Sequence, residues 1–262
     1  YIHDKDSHEV LSPFAAFGRS REAIYEVRHG PGRSVFSTTD VGLKLEMVQI
    51  VAPDAPAKIM RMKIVNLTER PRNLRVYAFA EWVLGNNRPK TAPYLRTWYE
   101  PSVNALMAQN PFSVDNGSRT AFLAADTPLQ SFSSARAEFL GAQTCALEPG
   151  AVMSGAKLSN TLDGGGDPCA ALSVDVSIKA GDAAEISFVL GDVASAEEAQ
   201  PLIRRVLDEG FDRQLERTVE QWDGFLGTLQ VTTPDPAFDL MVNTWLPYQN
   251  LACRIRVCFG VE

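Results

Sequence analysis

The sequence predicts a mainly β protein, an antiparallel sandwich followed by a helical segment. Two observations predict it. From about Tyr25 to Leu190 the hydrophobic period is two, in short runs separated by turn residues, and after Gly191-Asp192 it changes to helical spacing. So many short strands without intervening helices argue against a βαβ fold.

The clearest alternation is Leu172, Val174, Val176 and Ile178 against Ser173, Asp175, Ser177 and Lys179. It resumes after Ala180-Gly181-Asp182 with Ile186, Phe188 and Leu190, and reads as an antiparallel hairpin with one buried face. A second hairpin is expected from Met60, Met62 and Ile64, through Thr68-Glu69-Arg70-Pro71-Arg72, to Leu74, Val76 and Ala78. Its basic residues, Arg61 and Lys63 among them, are read as a solvated face and turn. Further strands are expected at Tyr25 to Arg28, Val35 to Thr38, Leu43 to Val51, Ala105 to Asn110 and Ala121 to Ala125. Gly30-Pro31-Gly32-Arg33 reads as a plain glycine turn, because it matches no phosphate-loop spacing and no helix opens after it.

In the helical part, Ser195 and Glu198 form a capping-box pattern, and Ala199, Leu202, Ile203, Val206 and Leu207 make a stripe that stops at Gly210. Pro201 conflicts with helix from Ser195 onward, so either the first turn is irregular or Pro201 lies near the true start. A second helix carries Phe211, Leu215, Val219, Trp222 and Leu226 on one side. After an extended piece, Leu229 to Thr233, Asp235 and Pro236 read as the start of a third helix bearing Phe238, Met241, Trp245, Tyr248 and Ile255, kinked at Pro247.

Composition narrows the function classes. The chain has 262 residues, 45% hydrophobic and 22% charged, which excludes a disordered or disulfide-dense chain. A net charge of -7 gives no basic face for nucleic acid. No apolar run approaches the roughly 18 residues of a membrane span. Cys145, Cys169, Cys253 and Cys258 lack CxxC spacing and a nearby histidine pair, so no metal site is expected and mostly buried thiols are. The N-terminus has neither an initiator Met nor a signal-peptide pattern, so the chain is expected to be a piece of something larger.

Chemistry-bearing residues are few. His3, His8 and His29 have no metal-ligand spacing, and no nucleophile elbow is present. Glu81, Glu100, Asp163 and Asp167 are loop or strand-end carboxylates, yet nothing singles out the pair that sugar-cleaving enzymes use. The segment from Glu81 to Glu100 is more informative. Trp82, Tyr94 and Trp98 can offer stacking faces to sugar CH groups, while Asn86, Asn87, Arg88 and Arg96 can orient hydroxyls or phosphate. The competing reading is core tryptophans flanking an exposed loop.

Five motifs then carry a resemblance. Glu26-Val27-Arg28-His29-Gly30, Glu81-Trp82-Val83-Leu84-Gly85, Glu138-Phe139-Leu140-Gly141, Asp167-Pro168-Cys169-Ala170-Ala171-Leu172 and Asn243-Thr244-Trp245-Leu246-Pro247-Tyr248-Gln249 occur in order along the chain. Together the sequence resembles glycoside hydrolase family 94, formerly glycosyltransferase family 36, and within it the C-terminal region of cyclic β-1,2-glucan synthases. The resemblance implies a galactose-mutarotase-like antiparallel super-sandwich over residues 1–192, lacking its first strands. It further implies a helical linker over 193–256 leading to an (α/α)6 catalytic barrel, and a tail at 257–262 outside the family pattern, read as a truncation or frameshift. The family's phosphorolysis needs one carboxylic acid, which lies in that barrel, so no residue here is expected to be catalytic. Inorganic phosphate is the implied co-substrate of the full-length enzyme, with no cofactor. Tyr94-Leu95-Arg96 is the nearest match to an aromatic-x-Arg element that reaches the active site in related phosphorylases.

The implied partners are a β-glucan and the barrel, with no nucleic acid and no membrane insertion of this chain. Helix faces left without the barrel suggest a homodimer. A cytoplasmic-side domain of an inner-membrane-anchored bacterial parent is the implied location. Two rival functions stay open, an independent carbohydrate-binding module and a mutarotase-like epimerase, the latter on fold type alone.

Overall fold

The alternating strands build two antiparallel sheets that pack face to face. The computed structural model describes residues 1–17, 23–141, 145–162 and 166–252. The strands are β1 (Ile2–Asp4), β2 (Val10–Leu11), β3 (Ile24–Gly30), β4 (Arg33–Asp40), β5 (Leu43–Val51), β6 (Ala57–Asn66), β7 (Arg72–Glu81), β8 (Arg96–Glu100), β9 (Ala105–Gln109), β10 (Thr120–Ala125), β11 (Ser131–Ala135), β12 (Pro168–Ile178) and β13 (Ala183–Val193). The helices are α1 (Arg88–Thr91), α2 (Arg136–Leu140), α3 (Gly150–Ser154), α4 (Ala196–Glu209), α5 (Phe211–Leu226), α6 (Pro236–Leu240) and α7 (Leu246–Ala252). One sheet has five strands in the order β11-β12-β7-β1-β2, the other eight in the order β3-β4-β5-β6-β13-β10-β9-β8. Between them lies the main core, with Leu45, Met62, Ile64 and Phe188 from one wall and Leu74, Val76, Leu172 and Val174 from the other.

The two expected long hairpins do not form. β6 and β7 lie in different sheets, as do β12 and β13. Instead β6 pairs with β13, Ile64 opposite Ala184, and β7 with β12, Val76 opposite Val174. Residues 67–71 and 179–182 are therefore corners where the chain crosses from one wall to the other. Alternation states which side chains face a core, and a core between two walls accepts them from either. Asn66 joins the corners: its Nδ2 reaches the carbonyls of Arg70, Ile178 and Lys179 at 2.8, 3.2 and 3.0 Å, and its backbone N–H donates to Asp182 at 2.9 Å.

Two basic residues read as solvated are structural. Arg72 is 2% exposed; its Nε donates to Asp4 Oδ2 at 2.6 Å and its Nη1 to the Val41 carbonyl at 2.9 Å. Arg61 donates to Asp212 Oδ1 at 2.5 Å and lies 4.3 Å over the Phe211 ring, which fixes the start of α5 on β6. β3 and β4 do form a hairpin through the glycine turn. Gly32 has φ +70°, and a Cβ there would fall 2.2 Å from Trp222, so both backbone and space demand glycine.

Helices cover both outer faces. On the eight-stranded sheet, Ala199, Ile203 and Val206 of α4 pack with Val48, Ile59, Phe122 and Val189. Ser195 is the N-cap of α4, but its hydroxyl bonds the Glu197 carboxylate, and the expected capping box with Glu198 is not made. Pro201 sits inside the helix on its exposed side, so the carbonyl that loses its N–H donor is on the solvent side rather than in the core. On the five-stranded sheet, Phe139 and Leu140 of α2 and Ala151 and Val152 of α3 pack with Tyr77 and Cys169.

Asp235 caps α6 as expected, accepting from Ala237 N–H at 2.9 Å. A π turn, Met241–Trp245, separates α6 from α7 and lies where the Pro247 ring would otherwise meet the Asn243 carbonyl. Leu229 to Thr233 forms no strand. Asn243 serves as its partner, accepting from Val231 N–H at 2.8 Å and donating to Val231 O at 2.7 Å. None of the described helices is long and apolar enough to cross a membrane. Asp163, Cys253, Ile255, Cys258 and the tail at 257–262 lie outside the described residues.

Candidate functional site

The segment between β7 and β8 is an anchored loop with an exposed crest. Its anchors are apolar: Trp82 is 4% exposed, and Ala92 and Leu95 are buried with it. Leu84 at φ +35° and Gly85 at φ +155° turn the chain sharply after the strand. Hydrogen bonds hold that turn. Thr91 Oγ1 donates to Val83 O at 2.5 Å, and Asn110 Nδ2 donates to Leu84 O at 2.9 Å from the neighbouring 110–119 loop.

A four-charge cluster clamps the base of the loop. Glu81 Oε1 accepts from Arg88 Nη1 at 3.0 Å and from Arg136 Nε, while Asp167 lies 3.6 Å from Arg88 and 3.5 Å from Arg136. The Glu81 hydrogen bond raises the Arg136 pKa further. These two carboxylates are thus neutralised by guanidinium groups. Glu100 instead accepts from Ser102 N–H at 3.2 Å and closes a short turn.

The structure separates the nominated residues into two groups. Asn86, Asn87, Tyr94 and Arg96 are exposed along the crest, and the Tyr94 ring pairs with Phe112 at 5.2 Å. Trp82, by contrast, offers no ring face to a ligand because it fills the core. Trp98 is half-buried against the core beneath α4, and Arg88 is held in the charge cluster. Phe112, 70% exposed, was not signalled by periodicity; its signal was an aromatic in the turn sequence Asn110-Pro111-Phe112-Ser113.

The histidines and cysteines occupy structural positions. His3, 2% exposed, has Nδ1 2.9 Å from the Val152 carbonyl, and burial lowers its pKa despite that bond. His29 Nδ1 lies 2.9 Å from Ser34 Oγ beside the glycine turn. Burial pushes the Cys169 thiol up to about 12, so it is a protonated packing group. Cys145 is exposed, against the expectation of burial. Among the described residues no cluster of three or more His, Cys, Asp or Glu side chains could hold a metal ion.

The structure is thus a two-sheet antiparallel sandwich with helices on its outer faces and an exposed crest between β7 and β8, the architecture of a supersandwich domain. The family model "Glycosyl hydrolase 94, supersandwich domain" matches residues 1–209, and the chain belongs to glycoside hydrolase family 94. It is 41% identical, over 97% of its length, to a cyclic β-(1,2)-glucan synthase of Rhizobium meliloti, of which it covers 9%. It is 23% identical to an N,N'-diacetylchitobiose phosphorylase of Vibrio furnissii, over 89% of this chain and 30% of the phosphorylase. The chain thus spans a third or less of these relatives. Among solved structures a bacterial glucoamylase complexed with acarbose shares the fold, with TM-score 0.59 and 15% identity over 80% of this chain and 29% of the glucoamylase.

Proposed function

We propose that this chain is the non-catalytic, carbohydrate-associated domain of a cyclic β-1,2-glucan synthase or inverting phosphorylase-type enzyme. In that reading it supports an (α/α)6 barrel and helps to shape the barrel's glucan cleft. The observation that carries the reading is the 41% identity along 97% of the chain to one segment of a β-1,2-glucan synthase. The anchored crest agrees with it, because Arg96 and Tyr94 are presented on a frame fixed by Trp82 and Leu95.

In the parent enzyme the barrel supplies the acid that protonates the leaving oxygen, and inorganic phosphate attacks without a protein base. Arg96 contributes a fixed fork of donors for a hydroxyl pair or a phosphate, and Tyr94 a stacking face. The parent is read as anchored in the bacterial inner membrane with this domain on the cytoplasmic side. Trp222, Trp245 and Tyr248 lie on the helices that meet the barrel in this reading, and the isolated chain is expected to associate through that apolar face.

The test is kinetic. Arg96→Ala in the full-length parent should cost about 2 kcal/mol of transition-state binding with little loss of stability. Unchanged kinetics there and in Tyr94→Ala would remove the crest from the active site. The isolated chain should release no glucose 1-phosphate from β-1,2-glucan and phosphate; release would overturn the non-catalytic assignment.

A further inference from the structure

The 83–95 loop does not stand alone. Beside it, the 110–119 loop between β9 and β10 presents Phe112 to solvent, with its ring 5.2 Å from Tyr94 and inclined by 50°. Tyr94 is 51% and Phe112 70% exposed, so the pair forms an open two-panelled aromatic surface rather than part of the core. A contiguous exposed aromatic surface bordered by polar groups is the kind of patch that marks a ligand-binding surface.

Next to them lies a polar cavity of about 260 Å³, lined by Leu84, Gly85, Asn110, Asn116, Arg119, Ala121 and Asp192. Asn110 connects the cavity to the aromatic pair. Its Nδ2 donates to Leu84 O at 2.9 Å on the cavity wall, and its Oδ1 accepts from Phe112 N–H at 3.2 Å. The 110–119 loop is further fixed by Gln109 Nε2, which donates to Ser118 O at 3.1 Å. Inside the cavity Arg119 Nε donates to Asp192 Oδ2 at 2.7 Å. Both groups are nearly half-exposed, so the pair offers water, or a ligand, guanidinium donors and a carboxylate acceptor side by side.

From this arrangement we propose that the two loops together form a carbohydrate-binding site of this domain, taking a hexopyranosyl unit of a neutral glucan. Phe112 and Tyr94 cover the CH face of a sugar ring, while Arg119, Asp192 and Asn116 engage the hydroxyls of that or the adjoining unit. A vicinal diol both donates and accepts, which matches an Arg–Asp pair with an amide beside it. The site goes beyond the proposed role of Arg96, resting on that reading only for the choice of glucan.

The experiment titrates the 262-residue chain with a linear β-1,2-linked gluco-oligosaccharide and follows backbone amide resonances. Expected is saturable millimolar binding with shifts confined to residues 84–95, 110–119 and 192. Phe112→Ala and Arg119→Ala should each weaken it about tenfold, and Phe112→Tyr should restore it. No saturation, shifts elsewhere, or a Phe112→Ala variant that binds normally would overturn the site. So would a Phe112→Ala variant that changes only the sedimentation of the chain, which would assign the loop to protein contact. Loss of binding in Arg96→Ala with none in Phe112→Ala would overturn the two-loop site while leaving the proposed function intact.

Discussion

The two outer faces of the sandwich are covered by different chemistry. Over the eight-stranded sheet, α4 lays an apolar stripe on Val48, Phe122 and Val189. Over the five-stranded sheet, Arg75 is 5% exposed and donates to Asp175 from Nε and Nη2 at 2.6 and 2.9 Å and to Gly155 O at 2.8 Å. Lys5 reaches the same carboxylate at 3.2 Å, and Tyr77 Oη donates to Ala156 O at 2.7 Å. His3 closes the set against Val152. The first face is non-directional and should tolerate changes of pH; the second has fixed partners and should not.

The largest expected effect lies on the apolar face. Phe122→Ala should cost about 4 kcal/mol in urea unfolding, since a fully buried ring leaves a cavity. A loss below about 1 kcal/mol would mean that α4 covers the sheet only loosely. On the polar face Asp175→Ala should cost about 3 kcal/mol, because it leaves the Arg75 guanidinium buried with one carbonyl. An equal cost for Arg75→Met would show that the pair itself stabilises, whereas a much smaller one would show that the unpaired charge was the problem.

Acid should separate the faces next. Burial holds the His3 pKa below its ordinary 6.5, so its contribution is complete above about pH 6.5 and is lost as pH falls from there through the folded-state value. Unfolding at about pH 7.5 and about pH 5.5 should show that loss, and His3→Gln should flatten it. At Asp175 burial acts upward, but hydrogen bonds from Arg75 and Lys5 outweigh it and hold the carboxyl below the usual range. Its contribution is present above the ordinary carboxylate pKa and disappears only as pH falls through the depressed value, which adds a second, more acidic limb. The smallest effect is expected away from both faces, where Arg213→Ala removes an exposed contact with Glu216 and should change stability by less than about 0.5 kcal/mol.

Local signals in the sequence were the readable ones. Asp235 and Gly210 mark helix ends through their own backbone geometry, and both positions do so in the structure. Inward-facing residues such as Ile64, Val76 and Val174 were legible from alternation, but their partners were not, because pairing depends on segments about a hundred residues apart. Arg72 illustrates the limit. In sequence it is a charge in a turn, and only β1 beside β7 brings Asp4 to it. On the crest, residue type identified Tyr94 and Arg96 as capable of binding, while the burial of Trp82 and the arrival of Phe112 required tertiary structure.

The corner at Asn66 also bears on how the chain reaches its native state. Residues 57–66 and 72–81 leave the ribosome well before 168–193, their partners in the two sheets. Short hairpins close within microseconds, whereas pairings at this sequence separation are slow. The early segments therefore have time to zip against each other in a pairing that buries the same alternating side chains. Any hairpin formed that way has to open before the walls can part. Asn66 can reach Arg70 within its own turn, but it finds its carbonyl partners at Ile178 and Lys179 only after the exchange, so the amide gains two further bonds in the late arrangement.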